Sequence, residues 1–537
     1  MLLGLAISCL LAVAVQPGAQ GSTDARAGGI FKITYLTTPG TFDHVDPALA
    51  YSRESWAILD TVCARLLRYR DAPPPRGYEL VPDVAAAPPT VSADGRTWTF
   101  RLRSGFRFSN GSPVRADAFA QAIHRTMAPG VDSPGYAYTR TIVGAEDVRA
   151  GKATRASGVT ARGNTLVVRL TRPVAEFDAW TTMPFFCAVP PALQPSREGA
   201  RTFPGAGPYY VKEYRLNRKV EIRRNPYYGG NREHHVNGFD VELSRASPDE
   251  LVSQVSAGRA DWTYMLPAIA LGPSHRLVSK YAVNLERFWL TPGLTVSMFV
   301  LNSSRPLFRN NPQLRRAVNF ALNRNVLFRL GTVTGHYLPP GVKGYRQRTI
   351  YPPGGDLVRA GELAAGNLRD GKAVFLVPDV APARNNAQVI GEQLAKIGLD
   401  VEIQPFGEHA TASSYLGRLG SDEPWDIALV LWSPDYVDPS AYINRLLDSQ
   451  FTGAPTLTRF DEPSFTESMR KAALLRGAAR TEAYAELDLQ LARDAAPVAP
   501  TVAFYEATLI SARVDRKCML LRPGLVLTTV CLRPPRA

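Results

Sequence analysis

Cysteine is scarce in this chain, with five in 537 residues, and no two of them stand as a CxxC pair. That removes the usual thiol redox and structural zinc frameworks. Histidine is nearly as scarce, at seven, and no HExxH spacing occurs to build a zinc-protease helix. Glu233, His234 and His235 are neighbours in sequence, but adjacent histidines diverge on most backbones and make a poor metal set. There is no GxSxG elbow and no histidine with a local partner for nucleophilic catalysis. One stretch, Gly366 to Ala373 (GNLRDGKA), approaches the phosphate-binding loop GxxxxGK[ST]. Ala373 offers no hydroxyl for magnesium, and the stretch precedes a strand where the motif must follow one and open a helix. The expectation is therefore no enzyme activity, no cofactor and no metal.

Concentrated charge is also missing. The net charge is +14, yet the arginines are spread along the whole chain, and no zinc-finger, helix-turn-helix or RNA-recognition signature accompanies them. Nucleic acid is not an expected partner. Arg315 and Arg316, on a helix whose other face carries Leu314, Val318 and Ala321, read as solvated surface. Long apolar runs are limited to Met1 to Val15, shorter than the roughly 20 residues of a membrane span and suited to the core of a signal peptide. Ala25, Arg26 and Ala27 form a small-x-small cleavage pattern before Gly28. No basic residue precedes the run, so a retained anchor stays open, and Ala6 stands where a lipoprotein signal would place Leu before Cys9. An exported protein is expected, in the periplasmic space or on the outer face of the cytoplasmic membrane.

What is present is a globular composition, 45% hydrophobic and 20% charged, with 43 Pro and 42 Gly to make many turns. Outside Cys9 the cysteines are Cys63, Cys187, Cys518 and Cys531, which allow three pairings or none. Cys518 and Cys531 flank the Pro523–Gly524 turn, which favours a hairpin bridge between them. Strands are predicted over Ile30 to Leu36, Trp98 to Leu102, Leu166 to Leu170 and Val220 to Ile222. Helices are predicted over Glu54 to Tyr69 and from Arg115, the latter with Phe119, Ala122, Ile123 and Met127 on one side. Further along, a helix over Gln313 to Leu330 leads into an alternation of strand Ala373 to Val377, helix Asn385 to Ile397 and strand Asp400 to Gln404. That is a βαβ pattern with a helix-covered parallel sheet. Helix over Glu467 to Ala495 and strand over Val498 to Val514 close the chain.

The strongest local signal is Pro424 to Tyr442, PWDIALVLWSPDYVDPSAY. Ile427 to Leu431 reads as a strand buried on both faces and ended by Ser433, Pro434 and Asp435. A carboxylate just past a strand's carboxyl end lies where ligands bind in open α/β sheets, and Trp432 and Tyr436 beside it suit an organic cation. The alternative is a turn in which Asp435 caps the next helix and Trp432 packs in the core.

In order, Asp46-Pro47, LVPDVA at Leu80 to Ala85, SADGRTWTFRLRSGFRFSNGSPV at Ser92 to Val114, Gly207-Pro208-Tyr209, RNPYY at Arg224 to Tyr228, and LNSSRPLFRNNPQLRRAVNFALNRN at Leu301 to Asn325 resemble the dipeptide-, oligopeptide- and nickel-binding family 5 of extracellular solute-binding proteins. The resemblance runs over nearly the whole chain from residue 30. It implies an α/β, mixed α+β, two-lobed binding-protein fold of the large three-domain type. Residues 1–27 would be a signal peptide or anchor. A discontinuous first lobe would comprise 28–70, 177–287 and 501–537, an extra domain 71–176, and the second lobe 288–500. The implied function is a monomeric receptor that captures a short peptide and delivers it to an ABC permease in the membrane. Oligosaccharide or nickel-chelate ligands, or an exported hydrolase of envelope peptides, are the alternatives. Asp435 falls at the position that holds the peptide's amino group in peptide-binding members. Trp432, Ser433, Tyr436, Tyr51, Ser52, His336 and Tyr337 fall where pocket contacts are made. Pro434 removes one backbone N–H from the loop that would pair with an extended peptide.

Overall fold

The computed structural model describes residues 28–36, 42–265, 275–327, 331–407, 419, 424–452 and 456–534. The stretch before residue 28, expected to be a signal peptide or anchor, lies outside them. An 11-stranded mixed sheet runs through the molecule. Its spatial order is Asp400–Phe406, Lys372–Pro378, Ile427–Trp432, Phe288–Leu301, Val498–Ile510, Trp262–Met265, Ile30–Leu36, Gly238–Ser244, Lys219–Arg224 and Tyr209–Arg215, with Gly331–Val333 paired beside Val498–Ile510.

The two longest strands, Phe288–Leu301 and Val498–Ile510, are antiparallel partners that cross from one half of the sheet to the other. Phe288 to Pro292 pair with Tyr505 to Leu509 in the half that holds the N-terminal strand. Val296 to Val300 pair with Val498 to Ala503 in the other, and the register slips between Pro292 and Val296. Gly293 sits in that slip, where an added Cβ would lie 2.6 Å from the Phe504 carbonyl oxygen. Contact that close excludes any side chain, so the bulge depends on glycine there.

The expected βαβ unit is present. Lys372–Pro378 pairs in parallel with both Asp400–Phe406 and Ile427–Trp432, and the helix Ala381–Ala395 connects the first pair. Ile427 to Val430 are buried on both faces, but Leu431 is 49% exposed as the strand leaves the sheet. Two apolar cores flank this half. One is built on Val296, Val300, Val430 and Tyr484, the other on Phe299, Phe375, Val318 and Ile390.

A smaller four-stranded sheet, Thr90–Val91, Thr97–Arg101, Thr165–Arg169 and Val159–Arg162, packs under the helix Ala116–Met127. Its core continues through Phe177, Trp180 and Phe185, and it includes Tyr436 and Ala441 from the far half of the large sheet. Disulfides join Cys63 to Cys187 and Cys518 to Cys531. Among the described residues no helix is long and apolar enough to cross a membrane.

Three helices and one side chain differ from expectation. The helix expected over Glu54 to Tyr69 stops at Val62, because Arg65 and Leu66 turn their carbonyls to the backbone N–H groups of Val84 and Asp83, and Leu67–Tyr69 becomes a strand on Leu80–Pro82. The helix expected over Gln313 to Leu330 ends at Ala321. The Arg324 guanidinium is buried there, donating to the carbonyls of Pro500 and Asn319, so the chain must turn inward. Residues 328–330 of that expectation lie outside the described residues. Helix over Glu467 to Ala495 is broken by extended backbone at Arg476 into Pro463–Leu474 and Gly477–Gln490, the latter running on as a π-turn. Arg315 is not solvated surface. It is 1% exposed and donates to the Ala495 and Phe308 carbonyls and to Glu462, because the helix packs on this face as well as on its apolar one.

Candidate ligand site

The strand Ile427–Trp432 is held at its end by Trp432, which pairs with Val296 of the crossing strand and donates its indole N–H to the Ala441 carbonyl at 2.9 Å. Ser433 continues this anchoring. Its hydroxyl lies 2.8 Å from that of Thr295, inside the register slip. The Tyr442 hydroxyl donates to the Leu294 carbonyl at 2.8 Å. These bonds place Asp435 one loop beyond the sheet, beside the point where the strands cross between halves.

The Asp435 carboxylate, 19% exposed, meets side chains from two other parts of the chain. The Tyr51 hydroxyl donates to Oδ2 at 3.1 Å, the Tyr138 hydroxyl donates to the same oxygen, and the Arg445 guanidinium stands 3.8 Å from it. Arg445 also covers the Tyr138 ring, 5.1 Å from its centroid. Burial and the adjacent carboxylate both raise the pKa of Tyr51 and of Tyr138, so the phenols stay protonated and act as donors. Burial opposes the charge on Arg445, but the surrounding phenols and Asp435 outweigh it and hold the guanidinium charged. All three donors gather on Oδ2. Among the described residues no hydrogen bond reaches Oδ1, which leaves that oxygen available to a further donor.

Aromatic rings position the phenols. Phe185 lies between Tyr51 and Tyr138, with centroids at 6.3 and 6.1 Å, and Trp180 meets Tyr138 edge-on at 5.3 Å. Tyr51 leaves 44% of its surface exposed, while its hydroxyl end is enclosed by Asp435 and Arg445. Ser52 follows it and caps the helix Arg53–Val62, while its own N–H and hydroxyl are tied to Asp43 at 3.0 Å each. Ser52 therefore positions the Tyr51 loop from behind.

Tyr436 is 1% exposed, with its ring against Tyr138 and Trp180 and its hydroxyl beside Ser440. It braces the contact from within the apolar core. Asp435 caps no helix; that role falls to Asp438, which accepts from the Ser440 N–H at 2.9 Å. His336 and Tyr337 are not brought to this cluster. Both are buried, at 2% and 0% exposure, and the His336 ring and the Tyr337 N–H meet the carboxylate of Asp488 inside the second half.

Tyr138 and Arg445 were not among the sequence candidates, and no local signal marks them. Tyr136 stands two positions from Tyr138, and Arg445 is one of 62 Lys and Arg residues. A second contact between parts of the chain lies nearby. Arg480 donates to both oxygens of Asp438, at 2.6 and 3.1 Å, and to Glu176 at 3.1 Å. The Val437 N–H donates to the Tyr69 hydroxyl at 2.7 Å. Among the described residues, no group of three or more His, Cys, Asp or Glu gathers as a metal site.

The chain is similar to known proteins over most of its length. It is 25% identical over 445 residues to the probable D,D-dipeptide-binding periplasmic protein DdpA of Escherichia coli (strain K12), covering 80% of each. It is 24% identical over 438 residues to the periplasmic oligopeptide-binding protein OppA of the same organism, covering 78% of each. Among solved structures, the clavulanic acid biosynthesis oligopeptide binding protein 2 superposes with a TM-score of 0.84 at 21% identity, over 95% of this chain and 96% of that one. The periplasmic binding protein DppA of Helicobacter pylori, solved with the peptide STSA, superposes at 0.73 over 95% and 99% at 21% identity. These superpositions show the shared α/β fold. The family model for bacterial extracellular solute-binding proteins, family 5 Middle, matches residues 79–454, and the chain belongs to that family.

Proposed function

We propose that this chain is the receptor of an ABC importer, capturing a short peptide between two hinged lobes and handing it to a membrane permease. The observation that carries the reading is the Asp435 carboxylate, set at the meeting of the two halves with three donors on Oδ2 and Oδ1 left open. A peptide's ammonium needs a carboxylate where water is excluded, since an unpaired buried charge costs several kcal/mol. Asp435 supplies it, and Arg445 offsets its charge from 3.8 Å. Trp432 and Ser433 hold the loop, while Tyr51 and Tyr138 bring the opposite lobe to the ligand's amino end.

The lobes in this reading are 28–70 with 177–287 and 501–537, carrying 71–176 as an extra domain, and 288–500. The crossing strands are the hinge, and the bulge at Gly293 is where they bend. A ligand that touches both lobes only when they are shut favours the shut form by that difference in affinity. The protein acts without catalysis, as an exported monomer. The names of its relatives support export and peptide capture.

The test is mass spectrometry of the solute that co-purifies with gently isolated protein, followed by calorimetry with the peptides found. An intact short peptide that rebinds supports the reading. A sugar, a metal chelate or a time-dependent product would replace it.

A further inference from the structure

A cavity of about 220 Å³ lies in the half of the sheet that holds the N-terminal strand. Tyr35, Arg53, Glu54, Trp262, Tyr264 and Glu506 are among its walls. Arg53 and Glu54 occupy the first turn of the helix that Ser52 caps, directly after Tyr51, so the cavity adjoins the Asp435 cluster along the chain.

Its charges do not balance. Arg53 is committed to Glu506 at 2.7 Å and to the Tyr264 hydroxyl. Two further walls are satisfied outside the cavity. Asp60 is paired with Arg65 and Arg232, and Arg522 is bound by Asp71 and by the carbonyls of Tyr69 and Arg70. Glu54 remains, with no ion pair of its own among the described residues. Burial, together with Asp43 and Glu506 nearby, raises its carboxyl to about 7. Beside it, among the described residues, the Tyr35 hydroxyl, in a residue 1% exposed, has no hydrogen-bond partner, and neither does the indole N–H of Trp262, in a residue 3% exposed. The two rings meet edge to face with centroids 5.7 Å apart.

We infer that this cavity receives a basic group of the ligand, the ammonium or guanidinium of a Lys- or Arg-like side chain, against Glu54 and the Tyr35 hydroxyl. Glu54 is the acid left without a cation, a bound cation would hold it ionised, the Tyr35 hydroxyl can accept from that cation, and the aromatic walls attract it. The Trp262 N–H is left to donate to a ligand carbonyl. An acidic side chain would face Glu54 and Glu506 with only an already engaged Arg53 to receive it, so such ligands are disfavoured. The inference rests on the peptide reading above and narrows it to basic peptides.

The experiment is calorimetry on the full chain with tripeptides carrying Lys, norleucine or Glu at one position at a time, and with arginine amide alone. At one position, Lys should bind about tenfold or more tighter than norleucine, with Glu the weakest, as expected for a close charge pair. In Glu54→Gln the ratio of Lys to norleucine affinity should fall towards one, and arginine amide should lose its effect on thermal unfolding. Equal binding of Lys and norleucine peptides at every position would overturn the inference while leaving the peptide reading intact. If no peptide binds, that reading falls. A response to arginine amide that Glu54→Gln abolishes would then uphold the cavity by itself, and its absence would reject both.

Discussion

The hydroxyl of Tyr51 donates to Asp435 Oδ2 at 3.1 Å across 384 residues of sequence. One bond thus joins the loop before the first helix to the loop after the strand Ile427–Trp432, and Tyr138 adds a third region to the same oxygen. In Tyr51→Phe this bond is lost and the ring stack on Phe185 is kept. A hydrogen bond to a charged group contributes roughly 1.5–3 kcal/mol, so the unliganded variant should favour a more open form. Small-angle scattering should show a larger radius of gyration than wild type; an unchanged radius would mean that this bond does not hold the halves together.

Asp435→Ala should weaken binding of a peptide with a free amino terminus by roughly 2–5 kcal/mol, the range for leaving one partner of a buried charge pair unmatched. An amino-acetylated peptide should be a poor ligand for both proteins. Equal calorimetric affinities of wild type and variant for the free peptide would reject the clamp.

Arg480 stands between the buried carboxylate of Glu176 and the partly buried carboxylate of Asp438. Arg480→Met leaves the two acids facing each other without a cation, which should cost roughly 3–5 kcal/mol at neutral pH. Part of that loss should return under mildly acidic conditions, where one carboxylate takes up a proton. Thermal unfolding of both proteins at pH 5 and pH 8 measures the difference.

Burial raises Glu54 from an ordinary value of 4.5 to about 7, with Arg53 opposing the shift and Asp43 and Glu506 adding to it. Tyr35 and Tyr264, whose own phenols are raised by burial, also face the cluster. Between those two values the native state holds more protons than the unfolded chain, so the stability this group contributes is complete below 4.5 and lost as pH rises through about 7. Glu54→Gln should therefore raise the unfolding temperature of the unliganded protein at pH 8 and leave it nearly unchanged at pH 4. Unfolding scans across that range check the sign.

The disulfides close loops of very different length, with sequence separations of 124 for Cys63–Cys187 and 13 for Cys518–Cys531. On the chain-entropy account, removing the first should cost about 5 kcal/mol and the second about 3 kcal/mol. Paired Cys→Ala variants in denaturant titrations give the comparison, and an equal loss would argue against loop entropy as the cause.

Periodicity located the βαβ unit because Lys372–Pro378 is largely buried and writes an apolar run, while the edge strand Asp400–Phe406 alternates, with Val401 and Ile403 packed against the core. It overran helices where a polar group intervened. Arg324 draws its backbone inward by donating to distant carbonyls, and nothing in a hydrophobic pattern reports such a bond. Asp435 was legible as a carboxylate at a strand end. Its partners were not, since a tyrosine's role depends on what lies opposite its hydroxyl.

The order of residues alone determined the strand that ends at Trp432, the turn that exposes Asp435 and the motifs that mark the family, because each depends on groups close along the chain. Only tertiary structure decided that Tyr51, Tyr138 and Arg445 share one carboxylate oxygen, that His336 and Tyr337 lie beside Asp488 instead, and that Glu54 faces a cavity unmatched. Those outcomes follow from packing between segments hundreds of residues apart, where burial and nearby charge set what each polar group can do.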